Sequence, residues 1–349
     1  MSNTKDEELT ADEIALYDRQ IRLWGMATQL RLRSTKILVI NLGAIGSEAV
    51  KNLVLGGINS IEILDPSYVK IEDFTAQFFL PNDESIVGQL KLPLVFDKIR
   101  ELNPAVNLSI NTNSINELSK DYSYLKKFDL IIGTELTKSQ IFALNQSTRE
   151  LNIPLYISGM HGMFGYILVD LIKHVSVNEM NESSIPRKAG TELSRNKTII
   201  KVDSNKETKI DLVTIEDIYS TLKEIFNSKV LPTTLKRREL KKLDALTIIF
   251  ALFDIERLDD SPESILDSEL LWEKLIQTYE NLGLDSSNIS KDYFEEIKRQ
   301  AFAEFSPTAA ILGGTLAQDV IQYLSKNHSP INNVLILDAK EKAMPIYSM

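Results

Sequence analysis

The stretch that most constrains this chain is residues 36–46, KILVINLGAIG. A short β-branched apolar run, KILVIN, leads directly into GAIG, and over 46–56 Ala49, Leu53 and Val54 recur at helical spacing. Strand, tight turn and helix are expected in that order. Downstream come IEILD at 61–65, a helix over about 88–102, DLIIGT at 129–134, a helix over about 138–151 that stops before Asn152 and Pro154, and PLYISG at 154–159. Strands alternating with helices predict an α/β fold with a doubly wound, mostly parallel, Rossmann-like sheet. At 349 residues with 43% hydrophobic content, the chain has enough apolar surface for one large domain of this kind or two smaller ones.

The turn reads Asn41-Leu42-Gly43-Ala44-Ile45-Gly46, a nucleotide-type fingerprint with its first glycine replaced. Asparagine tolerates left-handed backbone angles, so the tight turn survives. Phosphate could rest on the backbone N–H groups at the helix start, and Asp65, after the second strand, stands where a ribose-binding carboxylate would. A turn that merely lets helix pack on strand explains the same residues equally well. The N-terminal segment Tyr17-Asp18-Arg19-Gln20-Ile21-Arg22-Leu23-Trp24-Gly25 is the second candidate. Arg19 and Arg22 lie three apart on an expected helix, and guanidinium groups suit phosphate oxygens. Taken by itself the segment also reads as a solvated helix held by Tyr17 and Trp24 as packing anchors.

From about 175 to 235 the chain turns polar, with one β-like run, TIIKV at 198–202, and reads as a partly mobile loop. The region 236–304 is helical in pattern, including an apolar stretch, Leu246 to Ile255, that is too short for a membrane span and reads as a buried helix. AAILGGTLAQDVIQYLSK is a long apolar helix, and NNVLILDA a final strand expected to join the first sheet. The division expected is a flexible tail over 1–16, a Rossmann-like domain over 17–175, a polar loop and mostly helical insertion over 176–304, and a closing helix and strand over 305–349.

Several function classes fall away. Zero cysteines exclude disulfides, thiolate metal sites and a thiol nucleophile on this chain. His161, His174 and His328 are far apart and in no ligand spacing, so no metal site is assigned and surface or loop roles are expected for them. A net charge of −10 speaks against nucleic acid as a partner. The polar, acidic start shows no leader, so a cytosolic or nuclear home without membrane attachment is expected. Lys236-Arg237-Arg238 with Lys241-Lys242 fits a solvated helix face better than a nuclear address.

YDRQIRLWG, the NLGAIGSE turn, QFF at 77–79, ELNP at 101–104 and the late AAILGGTLAQDVI, in that order, resemble the ubiquitin-activating superfamily. The resemblance covers about 17–172 and 300–340. Within the superfamily, the short length, the FSPTAAILGG lead and the missing cysteine domain resemble the small, cysteine-free subunits of SUMO-activating enzymes. It implies a catalytically degenerate adenylation fold in a heterodimer whose cysteine-bearing partner holds Mg-ATP. That complex would adenylate the SUMO C-terminus and form the thioester on the partner, in the nucleus. Arg19 matches the arginine that reaches in trans into the partner's ATP site, with Arg22 a weaker second.

Competent members resemble G-x-G-G-[IV]-G in the turn, carry N-x-x-R before Q-F and have an aspartate after the fourth strand. Here Asn41, Asp73-Phe74-Thr75-Ala76 and Glu135-Leu136-Thr137 stand in those places, leaving Lys91 as a lone lysine. The degenerate site, with Asn41, Gly43, Gly46 and Asp65, is therefore expected to hold no cofactor. Tyr17, Trp24, Gly313 and Gly314 are the interface candidates, with an internal helix contact equally open for the glycine pair. The alternatives are a self-sufficient homodimeric adenylating enzyme for a ubiquitin-like or sulfur-carrier protein, a nicotinamide-dependent dehydrogenase, and a scaffold whose arginine does nothing. The missing arginine, asparagine and aspartate weigh against the first, and the YDRQ block against the second.

Overall fold

The computed structural model describes residues 9–205, 207, 209–255 and 266–349. Its strands are β1 (Lys36–Ile40), β2 (Ser60–Leu64), β3 (Asn107–Asn111), β4 (Leu130–Thr134), β5 (Leu155–His161), β6 (Phe164–Asp170), β7 (Lys173–Asn181), β8 (Glu192–Ser194), β9 (Lys197–Asn205), β10 (Ile210–Ile218), β11 (Val334–Asp338) and β12 (Ile346–Tyr347). Eight of them form one sheet in the order β12-β11-β6-β5-β4-β1-β2-β3. The run β3-β2-β1-β4-β5 is parallel, whereas β6, β11 and β12 pair antiparallel on the far side. Chain order reverses between β1 and β4, the switch point at which open α/β sheets bind ligands.

Both faces of the parallel strands are covered, which is why they read as continuous apolar runs rather than alternating ones. Ile37 and Val39 of β1 point into one apolar cluster, with the helices Ala44–Leu55 and Ser306–Ser325. Leu38 and Ile40 point into the other, with the helices Lys138–Leu151 and Asp244–Leu252. All nine residues of Asp244–Leu252 are buried, as its largely apolar sequence predicts, with Asp244 and Thr247 among them. The helix Lys138–Leu151 starts on a Thr137–Gln140 capping box and stops at Asn152, whose left-handed backbone closes it. No helix of the described residues is long and apolar enough to cross a membrane.

Four features differ from the sequence reading. The FGYILVD run forms β6, a hairpin partner to β5 that extends the sheet. The polar region after residue 175 is an antiparallel sheet, β7-β10-β9-β8, rather than a loop with one β-like run. Of the expected tail, residues 1–8 lie outside the described residues; Ala11–Leu16 is a helix, started by a Thr10–Glu13 capping box. His161 and His174 are buried rather than surface residues, at 4% and 3% exposure. His161 ends β5, where its Nδ1 accepts the Phe302 N–H at 3.0 Å, and His174 lies on the inner face of the second sheet.

Candidate functional site

At the switch point the backbone of Asn41 turns through φ 64°, the left-handed angle its side chain was expected to permit. Its Nδ2 donates to the Thr134 carbonyl at 2.8 Å, and Thr134 Oγ1 donates to the Asn41 carbonyl at 2.9 Å, so the turn is sewn to the end of β4. Gly46 is required by this geometry. A Cβ there would sit 2.5 Å from the Asn41 carbonyl oxygen, a backbone atom already committed to Thr134. At Gly314, by contrast, an added Cβ would meet nothing within 4 Å. We expect Gly46→Ala to cost roughly 1–3 kcal/mol through steric displacement of the turn, while Gly314→Ala, in mid-helix, should gain about 0.5–1 kcal/mol. Urea unfolding of both variants reads the difference, and equal stabilities would contradict the account.

Asp65 is 2% exposed and both its oxygens are spoken for: Oδ2 accepts the Leu42 N–H and Oδ1 the Ser67 N–H, each at 2.8 Å. It braces the turn and lines the cavity beside it. Gly43 caps the helix Ala44–Leu55, and here a group invisible to local sequence reading intervenes. Glu304 Oε1 accepts the Ala44 N–H at 3.0 Å and would meet a Gly43 Cβ at 2.3 Å. A carboxylate thus occupies the start of the helix, where backbone N–H groups and the helix dipole favour negative charge. Burial, with the neighbouring Glu135 charge, holds the Glu304 carboxyl above the usual range, and the Ala44 N–H and Lys91 pull it back.

The surrounding cavity, of 700 Å³, is lined by five carboxylates (Asp65, Glu72, Asp73, Glu135, Glu304) and two lysines (Lys70, Lys91). Lys91 is buried and committed to Asp73 at 2.9 Å. Asp73 stands in the stretch where competent superfamily members carry an arginine, so the lysine is neutralised from within. Glu135 Oε1 accepts the Met160 N–H at 2.8 Å. The lining thus carries more carboxylates than ammonium groups, and its negative charge is in surplus. The sequence offered no signal for Glu304, which lies 260 positions from Ala44 and reaches it only through the fold.

The N-terminal segment forms the helix Asp18–Trp24, pinned at both ends. Tyr17 is 5% exposed, its hydroxyl accepts from Asn103 Nδ2 at 2.8 Å, and its ring lies on Gly57 where a Cβ would be. That contact gives the ELNP block its purpose, since Asn103 also donates to the Val54 carbonyl at 3.0 Å. Trp24 Nε1 donates to Gln29 Oε1 at 3.0 Å, and Gln29 in turn to the Gly56 carbonyl at 2.9 Å. Tyr17 and Trp24 are therefore internal anchors. Between them Arg19 is exposed and does not line the cavity around Asn41, and Arg22, also exposed, pairs with Asp18 at 3.1 Å. Leu23 beside them is 75% exposed.

Gly313 belongs to an internal helix contact: a Cβ there would lie 2.5 Å from Glu48 Cβ and 3.0 Å from the Ile45 carbonyl oxygen. The close approach is used up between the helices Ala44–Leu55 and Ser306–Ser325, so it is not available to a second chain. Gly314 faces open space. Gln77 of the QFF block is buried, donating to the Leu42 carbonyl at 2.7 Å and to Ser47 Oγ, and it fastens that block to the glycine turn.

A model of the ThiF family matches residues 17–349. The chain belongs to the ThiF family. Among its relatives, the DNA damage tolerance protein RHC31 of Saccharomyces cerevisiae is 38% identical over 348 residues, covering 98% of this chain and 99% of that protein. The DNA damage tolerance protein rad31 of Schizosaccharomyces pombe is 32% identical, with 99% of each chain covered. The SUMO-activating enzyme subunit 1 of Homo sapiens is 30% identical over 95% of this chain and 93% of that protein. Such coverage extends the likeness through the second sheet and the helical region, not only through the motif blocks.

Proposed function

We propose that this ThiF-family chain is the cysteine-free subunit of a nuclear SUMO-activating heterodimer, with its own nucleotide cleft closed by Glu304 and Arg19 presented to the partner's Mg-ATP. The observation that carries the reading is the Glu304 carboxylate on the Ala44 N–H, in the place a phosphate would need. The relatives named as SUMO-activating enzyme subunits support the modifier and the heterodimer. With no cysteine on this chain, the thioester belongs to the partner.

In the reaction so assigned, a carboxylate oxygen of the modifier's C-terminal glycine attacks the α-phosphorus of the partner's ATP and pyrophosphate leaves. A partner thiolate then displaces AMP from the acyl adenylate. The contribution of this chain is electrostatic and positional. A guanidinium held by a pinned helix meets the negative charge that builds on the α-phosphate and leaving pyrophosphate. Pinning matters because a preorganised donor needs no reordering when the charge develops.

The isolated chain is expected to show no saturable binding of a fluorescent ATP analogue with magnesium up to about 1 mM, a concentration typical of substrate levels. Saturable binding in the micromolar range would overturn the closed-cleft reading.

A further inference from the structure

We propose that the crevice between the second sheet, the helix Ser306–Ser325 and the C-terminal strands is a binding site for an organic cation, a guanidinium or primary ammonium group held by the Asp217 carboxylate. The site lies apart from the nucleotide cleft, and its basis does not depend on how that cleft is read. Asp217 sits on β10 with His174 of β7 and Lys197 of β9 as its cross-strand neighbours. Its side chain is 1% exposed, and neither of its oxygens has a hydrogen-bond partner. Among the described residues its one ion-pair contact is the Lys197 ammonium at 3.9 Å, close enough to attract and too far to donate a hydrogen bond.

A second acceptor lines the same crevice. Asn332 spends its Nδ2 on the Ile218 carbonyl at 3.2 Å, and its buried Oδ1 has no donor. The crevice measures 490 Å³ and takes in Asp217, Lys197, Asp319 and Asn332 together. Buried acceptors without donors cost free energy, and a buried carboxylate without them costs more. What fits is a group rich in N–H donors that also brings positive charge. A guanidinium brings five donors and an ammonium three, with no acceptor to conflict with the carboxylate.

An anion would face Asp217, and a neutral donor would forgo the charge attraction. Lys197 is the gate. Its long side chain is 29% exposed, so it has room to swing out and yield the carboxylate to the incoming cation. A cavity of this size can also hold water, which is the alternative that the test must exclude.

The test uses the full chain, titrated calorimetrically with agmatine and putrescine, and with propylurea as an uncharged mimic of the guanidinium head. One saturable site for agmatine is expected, with no comparable heat from propylurea. Asp217→Asn should weaken agmatine by about tenfold or more, the usual worth of a hydrogen bond to a charged group. Because that variant could also lose its fold, Lys197→Met supplies an opposite expectation. Removing the competing ammonium should tighten agmatine severalfold, a gain that misfolding cannot produce.

Repeating the titration with the chain assembled with its catalytic partner distinguishes the sources of the cation. Loss of agmatine binding on assembly assigns the site to a basic side chain of the partner, and retention assigns it to a free small cation. Absence of saturable binding, equal binding of propylurea, or an Asp217→Asn variant that binds like the parent would overturn the proposal and leave water as the occupant.

Discussion

Arg19→Ala in the assembled heterodimer is expected to lower ATP–pyrophosphate exchange by on the order of 10²-fold or more, with assembly intact. The expectation rests on how Arg19 is held. The helix that bears it is fastened by Tyr17 to Asn103 and by Trp24 to Gln29, so its exposed guanidinium projects from a fixed support. Among the described residues it makes no hydrogen bond or ion pair whose loss would destabilise this chain. Arg19→Lys should restore only a small part of the rate, because an ammonium lacks the paired donors that suit phosphate oxygens. Arg22→Ala should have the smaller effect, since that side chain is drawn to Asp18. Unchanged exchange in Arg19→Ala, with normal assembly, would reduce the chain to a scaffold.

Asp319→Asn is expected to change the pH dependence of stability. Asp319 lies in the long helix Ser306–Ser325, where Tyr156 Oη donates to it at 3.0 Å and the Ile331 N–H at 3.0 Å. Burial pushes its carboxyl up to about 7, against the opposing pull of those two donors. The folded chain therefore holds this proton more tightly than the unfolded chain does. The resulting stabilisation is complete below about pH 4, where both states are protonated, and is lost as pH rises towards 7. At about 1.4 kcal/mol per pH unit the loss is on the order of 4 kcal/mol. Asparagine keeps an acceptor for the same donors and never ionises, so the variant should gain on the parent between pH 4 and 7. Urea unfolding of both chains at pH 5 and pH 8 measures it, and parallel pH curves would contradict it.

What the sequence disclosed and what it concealed divide along physical lines. The β1 turn was legible because burial on both faces makes an apolar run, and because a tight turn needs glycine or asparagine at fixed places. The second sheet was not, because its inner face mixes His174, Ser176, Asn178, Asp211 and Asp217 with the few apolar side chains Ile199, Val213 and Ile215. Its outer face exposes Val175, Val177 and Leu212. The period-two alternation of hydrophobicity is thus blurred on both sides, and the region reads as polar. β6 escaped notice for a related reason: FGYILVD is apolar but follows β5 so closely that the pair needed the two-residue turn at Gly162 to be recognised as a hairpin.

Around the candidate site the same contrast holds. The replacements at Asn41 and Asp73 and before Leu136 could be read off the chain, and so could the isolation of Lys91. That Asp73 would absorb the Lys91 charge, and that Glu304 would cross the fold to sit on Ala44, required three-dimensional proximity. Tyr17 and Trp24 read from the sequence either as packing anchors of a solvated helix or as interface residues. Their hydrogen bonds bear out the first of these, since they fasten the arginine helix.

The most direct test of the central claim is ATP–pyrophosphate exchange in the presence of SUMO, with this chain alone and with this chain mixed with a cysteine-bearing catalytic subunit. Exchange only in the mixture is the predicted result, since the cleft around Asn41 is lined by five carboxylates and Arg19 takes no part in that lining. Exchange by the isolated chain would contradict the account and make a self-sufficient homodimeric adenylating enzyme the better description.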